Sequence, residues 1–76
     1  MDVDKLVRMA NQIAANLDCG PNEAQAVAMA ADHIRRFWSP LMRRQIIERW
    51  RQRPTEFSAR ASQAVAAVAE QQAVAS

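Results

Sequence analysis

The chain is poor in the residues that make sharp corners, covalent staples and metal sites. Its 76 residues include one glycine, Gly20, and three prolines, Pro21, Pro40 and Pro54. A single glycine rules out both G-x-x-x-x-G-K-[ST] and G-x-G-x-x-G, so no phosphate-cradling or dinucleotide-binding loop is encoded. The lone Cys19 excludes an internal disulfide, and the lone His33 excludes a Cys/His zinc site of ordinary spacing. Asp32 beside His33 does not make a catalytic pair, because adjacent helical residues point apart. The chain is therefore read as non-catalytic alone, binding no cofactor or metal. No apolar run reaches the roughly 18 residues of a membrane span. The opening Met1-Asp2-Val3-Asp4 lacks the basic-then-apolar build of a secretory signal, and a cytoplasmic location is expected.

Helix formers fill the space between these few breakers. Half of the residues are apolar, and sixteen of them are alanine. Period-2 alternation is nowhere sustained, so the fold class is all-α: a small bundle of three main helices plus a weaker C-terminal helix. Residues 1–54 are read as the helical core domain, with helices over about 2–18, 22–38 and 39–52. Residues 55–76 are read as an alanine-rich C-terminal helix or frayed tail. Asp2 suits the N-cap of the first helix, Asn22 with Gln25 the second, and Ser39 followed by Pro40 at N1 the third. Gly20 and Pro21 end the first helix.

Val3, Leu6, Val7, Ala10, Ile13, Ala14 and Leu17 form one stripe on the first helix. Met42, Ile46, Ile47 and Trp50 form the apolar face of the third. The second carries two adjacent stripes, Val27, Ala31, Ile34 and Trp38, and then Ala26, Ala30, His33 and Phe37. That sector is wider than one neighbouring helix covers. The second helix is therefore either central in the bundle or partly covered by another chain. In the last segment Thr55 is the expected cap and Phe57, Ala61, Ala64, Val65 and Val68 share one side. So little volume predicts weak packing, with fraying from about Gln71.

Charge is distributed unevenly. Residues 1–31 carry a net −2, residues 32–53 a net +5, and residues 54–76 a net −1. Nine of the ten basic residues are arginine, the side chain suited to planar, bidentate pairing and aromatic stacking. The dense stretch is His33-Ile34-Arg35-Arg36-Phe37-Trp38-Ser39-Pro40-Leu41-Met42-Arg43-Arg44. Trp, Met and Arg are the types enriched at the centres of protein interfaces. Arg35, Arg36, Phe37, Trp38, Pro40, Met42, Arg43 and Arg44 are therefore the candidate partner-binding residues. Plainer readings stand beside this one: Phe37 and Trp38 as core, Arg35 and Arg36 as a solvated face. Arg43 falls between Trp50 and Ile47 on the wheel, where it snorkels or lies over Trp50, or else pairs with a partner's carboxylate. Asp32–Arg36 and Arg44–Glu48 are expected as i,i+4 pairs.

Two blocks, Lys5-Leu6-Val7-Arg8-Met9-Ala10-Asn11-Gln12-Ile13 and His33 to Arg43, resemble the small delta subunit of soluble NAD-dependent formate dehydrogenases. That family pairs an "LVRMANQI"-like helix with a downstream "H-(I/L)-R-R-F-W-x-P-x-M-R" segment. The resemblance covers about residues 4–50. The chain departs from the pattern at Leu41, where members often carry a further basic residue, and at Ala14-Ala15-Asn16-Leu17, where aromatics are frequent. The resemblance implies an accessory subunit within an alpha-beta-gamma-delta complex that oxidises formate to CO2 and reduces NAD+. The implied partner is the catalytic alpha subunit. The implied cofactors, molybdenum or tungsten bis-pyranopterin, iron–sulfur clusters, FMN and NAD, belong to that complex and not to this chain.

A domain of this size buries only about 60% of its unfolded surface, which adds a physical motive for docking. The alternative function is a small basic helical module that binds nucleic acid, suggested by the +5 segment and its helix–turn–helix punctuation. The acidic N-terminal half and the near-absence of lysine weigh against it. A membrane-surface role for the basic third helix is weaker, because Trp50 and the isoleucines are needed for packing.

Overall fold

Each helix begins where a side chain satisfies the free amides of its first turn. The computed structural model describes residues 2–17 and 22–75, with side chains through Gln71. Asp2 accepts from the Asp4 amide at 3.0 Å and opens α1 (Val3–Asn16). Asn22 accepts from the Gln25 amide at 3.0 Å and opens α2 (Glu23–Phe37). Ser39 accepts from the Met42 amide at 3.2 Å, with Pro40 at the first position of α3 (Pro40–Gln52). The expected cap at Thr55 is corrected. Pro54–Glu56 forms a 3-10 turn and Phe57 is extended, so the chain restarts one turn later. Ser58 caps α4 (Ala59–Ala75), accepting from the Ala61 amide at 3.2 Å. The described residues contain no strand. The α1 C-cap falls at Leu17, and the expected stop at Gly20-Pro21, like Cys19, lies outside the described residues.

The stripes read from the sequence turn inward. Leu6, Val7, Ala10 and Ala14 of α1 are buried, as are Ile46 and Ile47 of α3, with Met42 and Trp50 partly covered. The largest correction concerns α4. The segment expected to be weakly packed lies against all three other helices, most extensively against α2. Val65 and Val68 are fully buried, and Ala61 and Ala64 nearly so. The physical reason is the same scarcity of volume that suggested weakness. A rod of alanine and valine is narrow, so neighbours approach its backbone closely and pack at interior density. Small size at the centre of a bundle is a packing asset.

Polar side chains on α1, α3 and α4 then fasten the loops. Arg60 makes two hydrogen bonds to the Glu23 carboxylate, at 3.0 and 2.9 Å, and donates to the Ala14 carbonyl at 2.8 Å near the end of α1. Arg49 of α3 reaches Asp4 at 2.5 Å and Glu56 at 2.7 Å, joining the start of α1 to the 3-10 turn. Asn11 donates to the Glu56 carbonyl at 3.0 Å and accepts from the Ser58 amide at 2.9 Å. The Trp50 indole donates to the Ser58-capped helix at Ser62 Oγ, 2.7 Å away. None of Arg60, Asn11 or the Asp4–Arg49–Glu56 cluster stands out in the sequence. Their partners lie 37 to 47 positions away, except for Arg49 and Glu56, which are seven apart.

Candidate docking surface at the α2–α3 corner

The last turn of α2 must end at Trp38, because Pro40 disfavours helical geometry in the residue before it and offers no amide. Trp38 is extended (φ −94°, ψ 141°) while its amide still donates to Ile34 at 3.0 Å. Ser39 caps the next helix at once. The corner therefore contains a single non-helical pair, Trp38 and Ser39.

That geometry sends the neighbouring aromatics in opposite directions. Trp38 is 5% exposed and belongs to the core cluster, whereas Phe37 is 72% exposed. Of the two readings open for these rings, core holds for Trp38, and Phe37 stands in solvent. Trp38 thus sits in the core, behind the surface that Phe37 presents. The wide apolar sector of α2 divides in the same way. Ala26 and Ala30 of the second stripe are buried, but His33 and Phe37, one and two turns further on, are exposed. At about 100° per residue, Phe37 lies between the azimuths of Ala26 and Ala30. It has the orientation of a core residue at a level where nothing covers it.

Around Phe37 the exposed apolar surface continues. Leu41, in the first turn of α3, is 56% exposed and Pro40 is also exposed. Met29, on the α2 face shared with Asp32 and Arg36, is 41% exposed. The His33 ring packs against Phe37 at a centroid distance of 4.8 Å, tilted by 41°. Met42 is partly buried against the core.

The arginines fall into three groups. Arg35 and Arg36 share the carboxylate of Asp32, at 3.1 and 3.0 Å. The second of these is the pair expected from the i,i+4 spacing. Arg43 turns inward and donates to the Arg35 carbonyl at 2.6 Å, fastening the C-terminal turn of α2 to α3. Its observed partner is a backbone carbonyl of its own chain, which no sequence pattern marks. Arg44 is exposed and the expected Arg44–Glu48 pair does not form among the described residues. With Arg49 engaged by Asp4 and Glu56, four of the seven arginines of residues 32–53 have partners within the fold. Among the described residues no three His, Cys, Asp or Glu side chains gather as a metal site. No helix is long and apolar enough to cross a membrane.

The family model of the NADH-dependent formate dehydrogenase delta subunit FdsD matches residues 5–65. The chain belongs to this delta-subunit family. The match spans both blocks that carry the resemblance and extends through the first two turns of α4. It therefore takes in Asn11, Arg49 and Arg60, the latch residues, together with the whole α2–α3 corner. As a member of the delta-subunit family the chain is a part of a formate dehydrogenase complex. No curated protein and no solved structure matches it.

Proposed function

We propose that this delta-family chain is a non-catalytic accessory subunit. It docks on the catalytic alpha subunit through the α2–α3 corner and supports assembly or stability of the complex. On this reading it acts in the cytoplasm. The molybdenum or tungsten bis-pyranopterin, iron–sulfur clusters, FMN and NAD site are held by the other subunits. One observation carries the reading: Phe37, 72% exposed, stands with Leu41, 56% exposed, on a chain whose other large apolar side chains are mostly covered. A large aromatic left in water at a rigid corner costs solvation free energy that a partner's pocket recovers, and such anchors supply about 2 kcal/mol or more of binding each.

The contact set on this reading is Phe37, Leu41, Pro40, Arg35, Arg36 and Arg44. Trp38, Met42 and Arg43 hold the corner in shape from behind. The nucleic-acid alternative is weakened, since Arg49 is engaged by Asp4 and Glu56 and Arg43 is held by a carbonyl of the fold, while the exposed arginines border an apolar patch.

The test is co-expression with the large subunit, followed by affinity recovery of the complex. Phe37→Ser and Leu41→Ser alter exposed side chains and leave the isolated chain folded. The expected outcome is loss of the small subunit from the recovered complex. Full recovery with the double variant rejects the corner as the docking site.

A further inference from the structure

The charges around Phe37 say what kind of surface receives it, and this step rests on the docking reading above. Asp32 is the acidic residue engaged by the arginines of the α2 end, and its two oxygens are both used. Oδ1 accepts from Arg35 Nη2 and Oδ2 from Arg36 Nε. A guanidinium carries five N–H donors, so this sharing leaves most of both forks unused. Arg36 is bound through Nε, and both of its Nη nitrogens stand in a side chain that is 72% exposed. Arg44 adds a third exposed guanidinium beyond Leu41. Further along the same face of α3 come Glu48 and Arg51, which offset each other in number. The corner is thus an apolar knob bordered by two cationic charges in excess.

We infer that the alpha-subunit surface is an apolar pocket rimmed by aspartate or glutamate carboxylates, which meet Arg36 and Arg44 while Phe37 and Leu41 enter the pocket. A carboxylate matches the planar Nη pair of Arg36 in bidentate fashion, and the rim stays partly hydrated so that the charges are not stranded. A phosphate backbone would match the arginines as well, but it offers no apolar seat for Leu41 beside Phe37. Protein carboxylates are therefore the better fit to the whole patch. Opposed rim charges of this kind steer association and set its salt dependence, while the apolar centre sets residence time.

The experiment uses the full complex expressed with all subunits, the large one tagged, and reads the small subunit retained between about 50 and 500 mM salt. The variants are Arg36→Glu with Arg44→Glu, Arg36→Lys with Arg44→Lys, and Phe37→Ser, each checked for unchanged helicity. The expected results are retention lowered about tenfold by the glutamate pair, largely kept by the lysine pair, and falling with salt for the parent chain. Release by Phe37→Ser with salt-independent retention of the glutamate pair overturns the acidic rim and leaves the docking site standing. Retention of all three variants overturns both. Binding of the parent chain to duplex DNA that the glutamate pair abolishes, with retention on the large subunit unchanged, assigns the arginines to nucleic acid and overturns the inference.

Discussion

Phe37 and Trp38 are neighbours of similar chemistry with opposite roles, and substitution separates them. Trp38→Ala empties a buried indole site and is expected to cost about 3–5 kcal/mol of stability, read from chemical denaturation. Phe37→Ser is expected to stay within about 0.5 kcal/mol of the parent in the same assay, because its ring rests on little but His33. Equal losses from both would show that Phe37 is packed after all. Arg60 belongs with Trp38. Its removal strips charge-assisted bonds from the ends of two helices, and Arg60→Ala is expected to cost about 1–3 kcal/mol. At Glu56 the Arg49 guanidinium, hydrogen-bonded to the carboxylate, holds its pKa below the usual carboxylate range. A depressed carboxyl stabilises the fold at neutral pH, and this contribution fades as pH falls below the ordinary carboxylate range toward the folded value. The thermal midpoint should therefore fall on acidification, and Glu56→Gln should remove part of that dependence. An unchanged pH profile in the variant would contradict the latch.

At the scale of elements, the helices and three of the caps were legible because the signals are local: Asp2, Asn22 and Ser39-Pro40 act on amides within three residues. The fourth cap was misplaced by three positions because Pro54 starts a 3-10 turn before the helix, and nothing near Thr55 marks that detour. The rank of α4 was illegible for a different reason. Side-chain volume predicts how much surface a helix can bury but not how closely its neighbours can approach. Ala64→Leu forces extra volume into the helix crossing and is expected to destabilise by about 1–3 kcal/mol or more, whereas Gln63→Leu, on the exposed side, is expected to be near neutral. A neutral Ala64→Leu in thermal unfolding would show that α4 has room to spare. The candidate site was legible to the level of a twelve-residue stretch. Which of its residues face outward depends on where α4 stops covering α2, and that is a property of the assembled bundle.

For the whole molecule, the expectation that the second helix carries more apolar surface than the chain can shelter holds only at one end. The radius of gyration, 11.3 Å, is that of a closed globule of this length, about 11 Å by general scaling. The core cluster runs through all four helices and encloses Trp38, and Ala26 and Ala30 of α2, the helix packed most extensively on α4, are buried. Among the described residues the most exposed large apolar side chains are Phe37 and Leu41, at the α2–α3 corner. The chain thus combines a core of its own with an uncovered apolar corner, a combination suited to a subunit added to a larger enzyme.

Amide hydrogen exchange of the small subunit, free and within the assembled formate dehydrogenase, tests this most directly. The account predicts slowed exchange on assembly across residues 36–44, with α1 and α4 changing little. Protection confined to the outer faces of α1 or α4, with the corner amides exchanging as in the free chain, would contradict it.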